Sequence, residues 1–377
     1  MKAIINGRVV LEKGVIENGF VLFDERILKI GDMKDYEEQA KEVVDACGQI
    51  VCPGFIDIHV HGAGGSDTMD GTPEAIETLS ATILKSGVTR FLATTMTMST
   101  DAIKNALSTV KAHMEHQAER SDLAQITGVH LEGPFINASK KGAQNGAYIV
   151  QPNMELIGDY LDIIKIITIA PETDVDFEFI NQMKAHPEIQ LSIGHTNSNF
   201  DTAMEAYKNG VTHITHCFNA MPPLHHREPG VIGAMLSESF STELIADGIH
   251  VHKGLFKGMC RCVDHDKLIL ITDSMRAGGL EDGDYDLGGQ NVIVKDGACR
   301  LEDGTLAGSV LTMNRALRNF NENTEIPLNE VINLATINPA EVIGIGGEFG
   351  SLEAGKVADI NIVDQQFNII RTFVKGR

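Results

Sequence analysis

The chain has 377 residues, 43% of them hydrophobic, with 31 Lys and Arg against 52 Asp and Glu and a formal net charge of −21. The apolar share is large enough to build a core and excludes a disordered chain. The charge excludes the diffuse positive field that gathers nucleic acid or anionic membrane, and the length suits one large domain plus a smaller one.

The first 50 residues read as β structure. KAIING, RVVLEKG, GFVLFDE and RILKIGD are short runs rich in Val, Ile, Leu and Phe, punctuated by glycine and charge. The last 30 or so residues read the same way, in KVADINIVD and FNIIRTFVKG. Between them, strand-like and helix-like segments alternate. Eight β-branched runs follow in order: FIDIHVHG, TRFLATT, ITGVHLEG, IIKIITIAPE, IQLSIGHT, VTHITHCFN, STELIADGIH and LILITDS. Helical periodicity separates several of them, as in PEAIETLSATILKSG and NFDTAMEAYKNG, the latter closing on Gly210. Strands alternating with helices predict parallel βαβ units, and eight of them predict a closed barrel. The expected fold is therefore α/β: a (β/α)8 TIM-like barrel over 51–343, with a small β-sandwich domain made from both termini, 1–50 and 344–377.

No apolar run approaches the roughly 18 residues of a membrane-spanning helix. Asn6, Gly7 and Arg8 stand where a secretory signal needs its apolar stretch. A cytoplasmic protein is expected, with no membrane partner. The six cysteines show no CxxC pairing and are expected to be reduced thiols, mostly buried. Cys260 and Cys262, two apart on an expected strand or turn, have no visible partners for a zinc site.

Active sites of such barrels lie at the C-terminal ends of the strands. Polar residues close the predicted strands at that end: His59 and His61 on the first, Glu132 on the third, His195 on the fifth, His216 on the sixth, His250 on the seventh and Asp273 on the eighth. Residues two apart on a strand share a face, so His59 and His61 can reach one cation. His195 and His216 are one βαβ repeat apart and point into the same space. Glu132 offers oxygen between two ions. Imidazole with carboxylate suits Zn²⁺ or Fe²⁺ and suits Ca²⁺ poorly. Taken singly, each histidine is more often an ordinary hydrogen-bonded residue; together they predict a metal centre. His113, His116, His186, His213, His252 and His265 are read as ordinary structure. His130 shares the parity of Glu132 and is a candidate to line the site.

FIDIHVHGAGG, GVHLEGPFI, SIGHTN, THCFNAM, HHREPG, ADGIHV, ITDSM and GTLAGSVLTM together resemble the N-acetylglucosamine-6-phosphate deacetylases of the amidohydrolase superfamily. The resemblance runs from Ile5 to the closing KVADINIVD. It implies the barrel and the small terminal β domain. It implies that Glu132, His195 and His216 hold one divalent metal. Some members lack the strand-one pair and use one ion; His59 and His61 place this chain with the two-metal type. Gln144 stands where single-metal members carry a histidine, so its contact with an acetyl or sugar group stays open, as does that of Ala143.

The resemblance implies hydrolysis of N-acetylglucosamine 6-phosphate to glucosamine 6-phosphate and acetate. Asp273 is expected to move the proton from water to the leaving nitrogen, to ligate metal, or both. Arg227 and His250, with backbone at Asn219 and Ala220, are expected to grip the phosphate, and Leu306, Ala307 and Gly308 to face the sugar. A homodimer is implied, with a phosphate-binding residue crossing the interface. Three rivals remain: an N-acetylgalactosamine-6-phosphate deacetylase, an amidohydrolase acting on another N-acyl or cyclic amide, and an inactive scaffold.

Overall fold

The computed structural model describes residues 1–37 and 40–377. All eight predicted barrel strands form: β1 (Phe55–Val60), β2 (Val88–Thr94), β3 (Gln125–Glu132), β4 (Ile164–Ile169), β5 (Gln190–Ile193), β6 (Val211–Ile214), β7 (Ser241–Ile245) and β8 (Leu268–Ile271). They pair parallel, each with its chain neighbour. The barrel closes past the strand ends, where Val60 bridges Ser274 in parallel. The His61 amide donates to the Ser274 carbonyl (2.9 Å) and the Asp273 amide to the His59 carbonyl (2.9 Å). The seam thus joins the two strands whose ends carry candidate ligands. Lower down, Thr272 Oγ1 donates to Asp57 Oδ2 (2.6 Å) across the same seam.

Helices cover the strands for the reasons the sequence supplies. In Pro73–Leu84, Pro73 occupies the first turn and Thr72 Oγ1 accepts from the Ala75 amide (3.3 Å). Ile76, Leu79 and Ile83, at helical spacing, are buried against the barrel. The barrel interior below the site is polar. His130 Nε2 and Thr168 Oγ1 lie 2.7 Å apart, Thr168 Oγ1 and Thr215 Oγ1 2.7 Å, and Ser192 Oγ and Thr215 Oγ1 2.5 Å. Gly194 is required beside this chain: a Cβ there would stand 2.7 Å from Thr168 Cγ2 and 2.8 Å from Thr215 Cβ.

Both termini meet in one seven-stranded sheet. Its main path runs Ile369–Phe373, Ile360–Val363, Ile50–Pro53, Lys2–Leu11, Gly14–Phe23, Ile27–Asp32, and Glu42–Asp45 pairs parallel with Lys2–Leu11. The sheet reaches Pro53, slightly beyond the expected division at residue 50. Ile4, Val21, Phe23, Ile360 and Phe373 pack on one face and Ala3, Phe20 and Leu22 on the other.

One feature was not anticipated from sequence. Between β8 and the helix Met313–Asn323 lies a three-stranded antiparallel sheet, Gly283–Leu287, Gln290–Lys295 and Ala298–Arg300. Leu287, Val292, Val294 and Cys299 pack against Met96, Ala143, Met275 and Ala307, which seats this sheet beside the strand ends. The cysteine expectations need correction. Cys260 and Cys262 lie on a helix, Phe256–Cys262, and not on a strand or turn. Cys52, Cys217 and Cys299 are buried, whereas Cys47 and Cys262 are exposed and Cys260 is half-buried; all six are free thiols. Among the described residues, no helix is long and apolar enough to cross a membrane.

Candidate metal centre and substrate cavity

Two groups of donors converge at the mouth of the barrel. In the first, Glu132 Oε1 lies 2.9 Å from His216 Nε2 and 3.1 Å from His195 Nε2, and the two Nε2 atoms are 3.1 Å apart. In the second, His59 Nε2 and His61 Nε2 are 3.3 Å apart, with Asp273 Oδ1 3.5 and 3.3 Å from them. Glu132 spans both groups, its oxygens lying 3.5 Å from His59 Nε2 and 3.4 Å from His61 Nε2. The six residues predicted as ligands therefore form one cluster, and all are buried.

Backbone geometry aims three of them. His195, His216 and Asp273 each stand two residues past the end of a strand, at φ +46°, +28° and +49°. Non-glycine residues rarely adopt this region, and strain of this kind gathers at functional sites.

The chemistry of the donor set fits a divalent cation. Nitrogen atoms facing one another at hydrogen-bond distance cannot all carry protons, whereas a cation accepts all their lone pairs. Two tautomers are fixed from outside the cluster. His59 Nδ1 bonds Glu243 Oε2 (2.9 Å) and His195 Nδ1 bonds the Lys140 carbonyl (3.0 Å), so each neutral ring presents an Nε2 lone pair inward. The Nδ1 atoms of His61 and His216 are buried without a protein partner.

The electrostatics agree. Burial disfavours the Glu132 charge, but His195 and His59 more than offset it and hold its carboxyl well below the usual range. Burial likewise pushes His59 down, yet Glu243, Glu132 and Asp273 together hold it up at about 9. The carboxylates thus demand positive charge at this spot. His130 behaves differently: burial first, then the neighbouring His59 charge, pushes it down to about 3. Its ring packs on His59 (centroids 4.5 Å), with its nitrogens on the Ile58 carbonyl and Thr168, below the site. It does not line the cavity as expected.

A cavity of about 400 Å³ opens over the cluster. His61, Glu132, His195, His216 and Asp273 form its floor, and Ala143, Gln144, Asn219, Ala220, His250, Leu306 and Gly308 line it. Gln144 donates from Nε2 to Glu132 Oε2 (2.7 Å) and accepts at Oε1 from the Thr97 amide (2.6 Å), so its amide holds Glu132 in place. Ala307 is fully buried and lies beneath the cavity, its amide on the Cys299 carbonyl (3.1 Å). Arg227 is exposed, contacts His226 Nε2 (2.8 Å) and does not line the cavity of its own chain. His250 does, with Nδ1 fixed by Asp247 Oδ2 (2.6 Å).

Sequence reasoning missed several contributors. Arg300 and Leu287, from the three-stranded sheet, and Lys140, from the loop after β3, line the cavity. Glu243 contacts the donor cluster from behind; its signal was the single charged residue of the barrel strand Ser241–Ile245. Glu172, after β4, accepts from Asn137 Nδ2 (2.8 Å), the Asn197 amide (2.6 Å), Thr196 Oγ1 (2.6 Å) and Ser198 Oγ (2.6 Å), joining three loops around His195.

The amidohydrolase family profile matches residues 50–377. The chain belongs to the amidohydrolase family. N-acetylglucosamine-6-phosphate deacetylase of Bacillus subtilis (strain 168) is 42% identical over 376 residues, covering 98% of this chain and 94% of the relative. N-acetylgalactosamine-6-phosphate deacetylase of Escherichia coli O157:H7 is 33% identical over 365 residues, 94% of each chain. The crystal structure of N-acetylglucosamine-6-phosphate deacetylase from Pasteurella multocida superposes with a TM-score of 0.93 at 31% identity, covering 100% of this chain and 98% of the other. A Mycobacterium smegmatis deacetylase variant, solved in complex with N-acetyl-D-glucosamine 6-phosphate, superposes with a TM-score of 0.91 at 28% identity, again covering 100% and 98%. Divalent-metal chemistry in this amidohydrolase follows from the family and from the convergent histidine and carboxylate donors.

Proposed function

We propose that the protein hydrolyses the acetamide of N-acetyl-D-glucosamine 6-phosphate, releasing D-glucosamine 6-phosphate and acetate in amino-sugar catabolism and recycling. One observation carries this: two His/carboxylate groups converge at the floor of one cavity in a chain similar over nearly its full length to deacetylases of that name. The inactive-scaffold reading loses its ground, since a scaffold has no cause to keep six convergent buried donors.

Glu132, His195 and His216 would hold one divalent ion, and His59, His61 and Asp273 a second; Zn²⁺ and Fe²⁺ suit these donors. When bound, such an ion polarises a carbonyl and lowers the pKa of water. Asp273 takes the proton of the attacking water and passes it to the departing nitrogen, which answers the poor leaving-group character of an amine. Its position at the cavity floor supports this, and its place among His59 and His61 supports a ligand role as well. Gln144 keeps Glu132 oriented. His250, with backbone at Asn219 and Ala220, binds the phosphate, and Leu306, Gly308 and Ala143 border the sugar. Arg227 completes the phosphate grip from a second subunit. Its guanidinium suits the planar fork of phosphate recognition, and its exposure outside its own cavity supports a homodimer. The division into a terminal β-sandwich (1–50 with 344–377) and a barrel (51–343) is part of the same reading, supported by the separate apolar clusters of the terminal sheet, and so is a cytoplasmic location.

The test is acetate release from the two 6-phosphate epimers and from unphosphorylated N-acetylglucosamine, at fixed metal content. The gluco epimer should react fastest. A faster galacto epimer would move the assignment to that sugar, and no acetate from any of the three would overturn it.

A further inference from the structure

We propose that Glu243 is a positioning residue that fixes His59 as a ligand of the second ion and ties the two donor groups together. The proposal rests on the two-ion reading above. Glu243 lies in the middle of β7 and is fully buried. Its Oε2 accepts from His59 Nδ1 (2.9 Å) and from the His216 amide (2.9 Å). Its Oε1 accepts from His213 Nε2 (3.1 Å), whose Nδ1 lies 2.6 Å from Ser241 Oγ. The three groups that hydrogen-bond its carboxylate are two imidazoles and a backbone amide, and a third imidazole, His130, has its Nδ1 4.0 Å from Oε1.

Each bond has a consequence for metal binding. A neutral imidazole carries one proton. With that proton held at Nδ1, the His59 Nε2 lone pair faces His61 Nε2 and Asp273. With Glu243 removed, nothing among the described residues bonds His59 Nδ1, and a proton on Nε2 blocks the ligand position. The second bond reaches the other group. His216 sits at φ +28°, and the same oxygen that orients His59 holds its amide in that conformation. One carboxylate therefore sets a ligand ring in one group and a ligand backbone in the other. His213, which sequence reasoning left as ordinary structure, braces the far oxygen. The first ion should depend on Glu243 less than the second, because Glu132 and the His195–Lys140 bond hold its site independently.

The experiment loads parent, Glu243→Ala, Glu243→Gln, His59→Gln and the double variant His59→Gln/Glu243→Ala with Zn²⁺. Zinc per chain is measured after desalting, then the rate of zinc loss to a chelator. The parent should hold two ions. Glu243→Ala should lose the second at least tenfold faster, as ligand-orienting partners typically govern 10–100-fold in affinity, while loss of the first speeds up less. Glu243→Gln keeps an acceptor for His59, because His213 can change tautomer to meet the amide NH₂; its loss rate should fall between. The double variant should lose zinc no faster than His59→Gln, the signature of one residue acting through another. Two ions leaving Glu243→Ala at the parental rate would overturn the proposal while leaving the two-ion reading intact. A parent that binds one ion would overturn both. Thermal unfolding of the metal-free proteins checks folding; if Glu243→Ala is not folded, Glu243→Gln decides, faster loss supporting the proposal and parental loss overturning it.

Discussion

Asp273 is held from every side. Its amide donates to the His59 carbonyl across the barrel seam (2.9 Å), and its own carbonyl accepts from Ser309 (2.7 Å). Gly308 passes so close that a Cβ would stand 3.3 Å from that carbonyl. Burial disfavours its charge, but His59 and His61 outweigh burial and keep the carboxyl below its ordinary range, and so ionised. Asp273→Asn should lower kcat by about 10³-fold, in the range of a lost general acid–base group, while zinc at Glu132, His195 and His216 is retained. Activity within tenfold of the parent, at measured zinc content, would remove Asp273 from the proton path. His59 carries a second expectation. Held up at about 9, it is protonated in the metal-free protein at pH 7 to 8, and a metal must displace that proton. Zinc binding should therefore release protons, and apparent affinity should climb with pH well past neutrality, since Asp273 and Glu132 hold His61 up as well. Calorimetry in buffers of different ionisation enthalpy reads the release directly; heats independent of buffer at pH 7.5 would contradict it. Strand parity was enough to read His59 and His61 as a pair. The nitrogen that His59 presents was not legible, because it is set by Glu243, 184 residues away in sequence.

Elements were legible where a single period dominates. The eight β-branched runs with helices between them gave the barrel and, with it, the end at which ligands gather. The sheet over 283–300 escaped because it interrupts that alternation inside one loop. Its turns did carry signals: Gly288-Gly289 at φ +60° and +81°, and Asp296-Gly297 at φ +52° and +79°, which are hairpin dipeptides in left-handed conformation. Sequence offered no comparable sign of the clamp at Glu172, whose partners come from the loops after β3 and β5. These loops also meet where the Asn137 amide donates to the His195 carbonyl (2.9 Å). Glu172→Ala removes four acceptor contacts around one ligand without touching the cavity. We expect unfolding free energy to fall by about 1–2 kcal/mol, discounted for solvent access, and zinc affinity of the Glu132–His195–His216 group to fall about tenfold. Glu172→Gln should recover part of both. Unchanged zinc affinity in the alanine variant, measured by chelator competition, would leave Glu172 with a purely structural role.

At the scale of the molecule, the barrel and the terminal sheet are locked by a contact between residues 269 positions apart. Arg90 on β2 meets Asp359 through two hydrogen bonds (2.6 and 3.3 Å), both side chains nearly buried, and its guanidinium lies 4.2 Å from the centre of the Phe349 ring. Breaking one partner of such a pair leaves an uncompensated charge, so the terminal domain is fastened to the strand beside β1 and not merely appended. A protein of net charge −21 must hold a phosphorylated substrate with local cations, and Arg227, outside its own cavity, serves only if it enters another. A mixing experiment decides this. In a hybrid of Arg227→Gln and Asp273→Asn chains, trans action gives one site with both residues intact and one with neither; cis action leaves both sites defective. If subunits exchange freely in an equal mixture, half the dimers are hybrids, so trans action should restore about a quarter of parental activity. Recovery no greater than the sum of the two separate variants, with subunit exchange verified by differently tagged chains, would place Arg227 in cis or outside the site. The recovered activity should also show the parental KM for the 6-phosphate, because the single intact site is then complete.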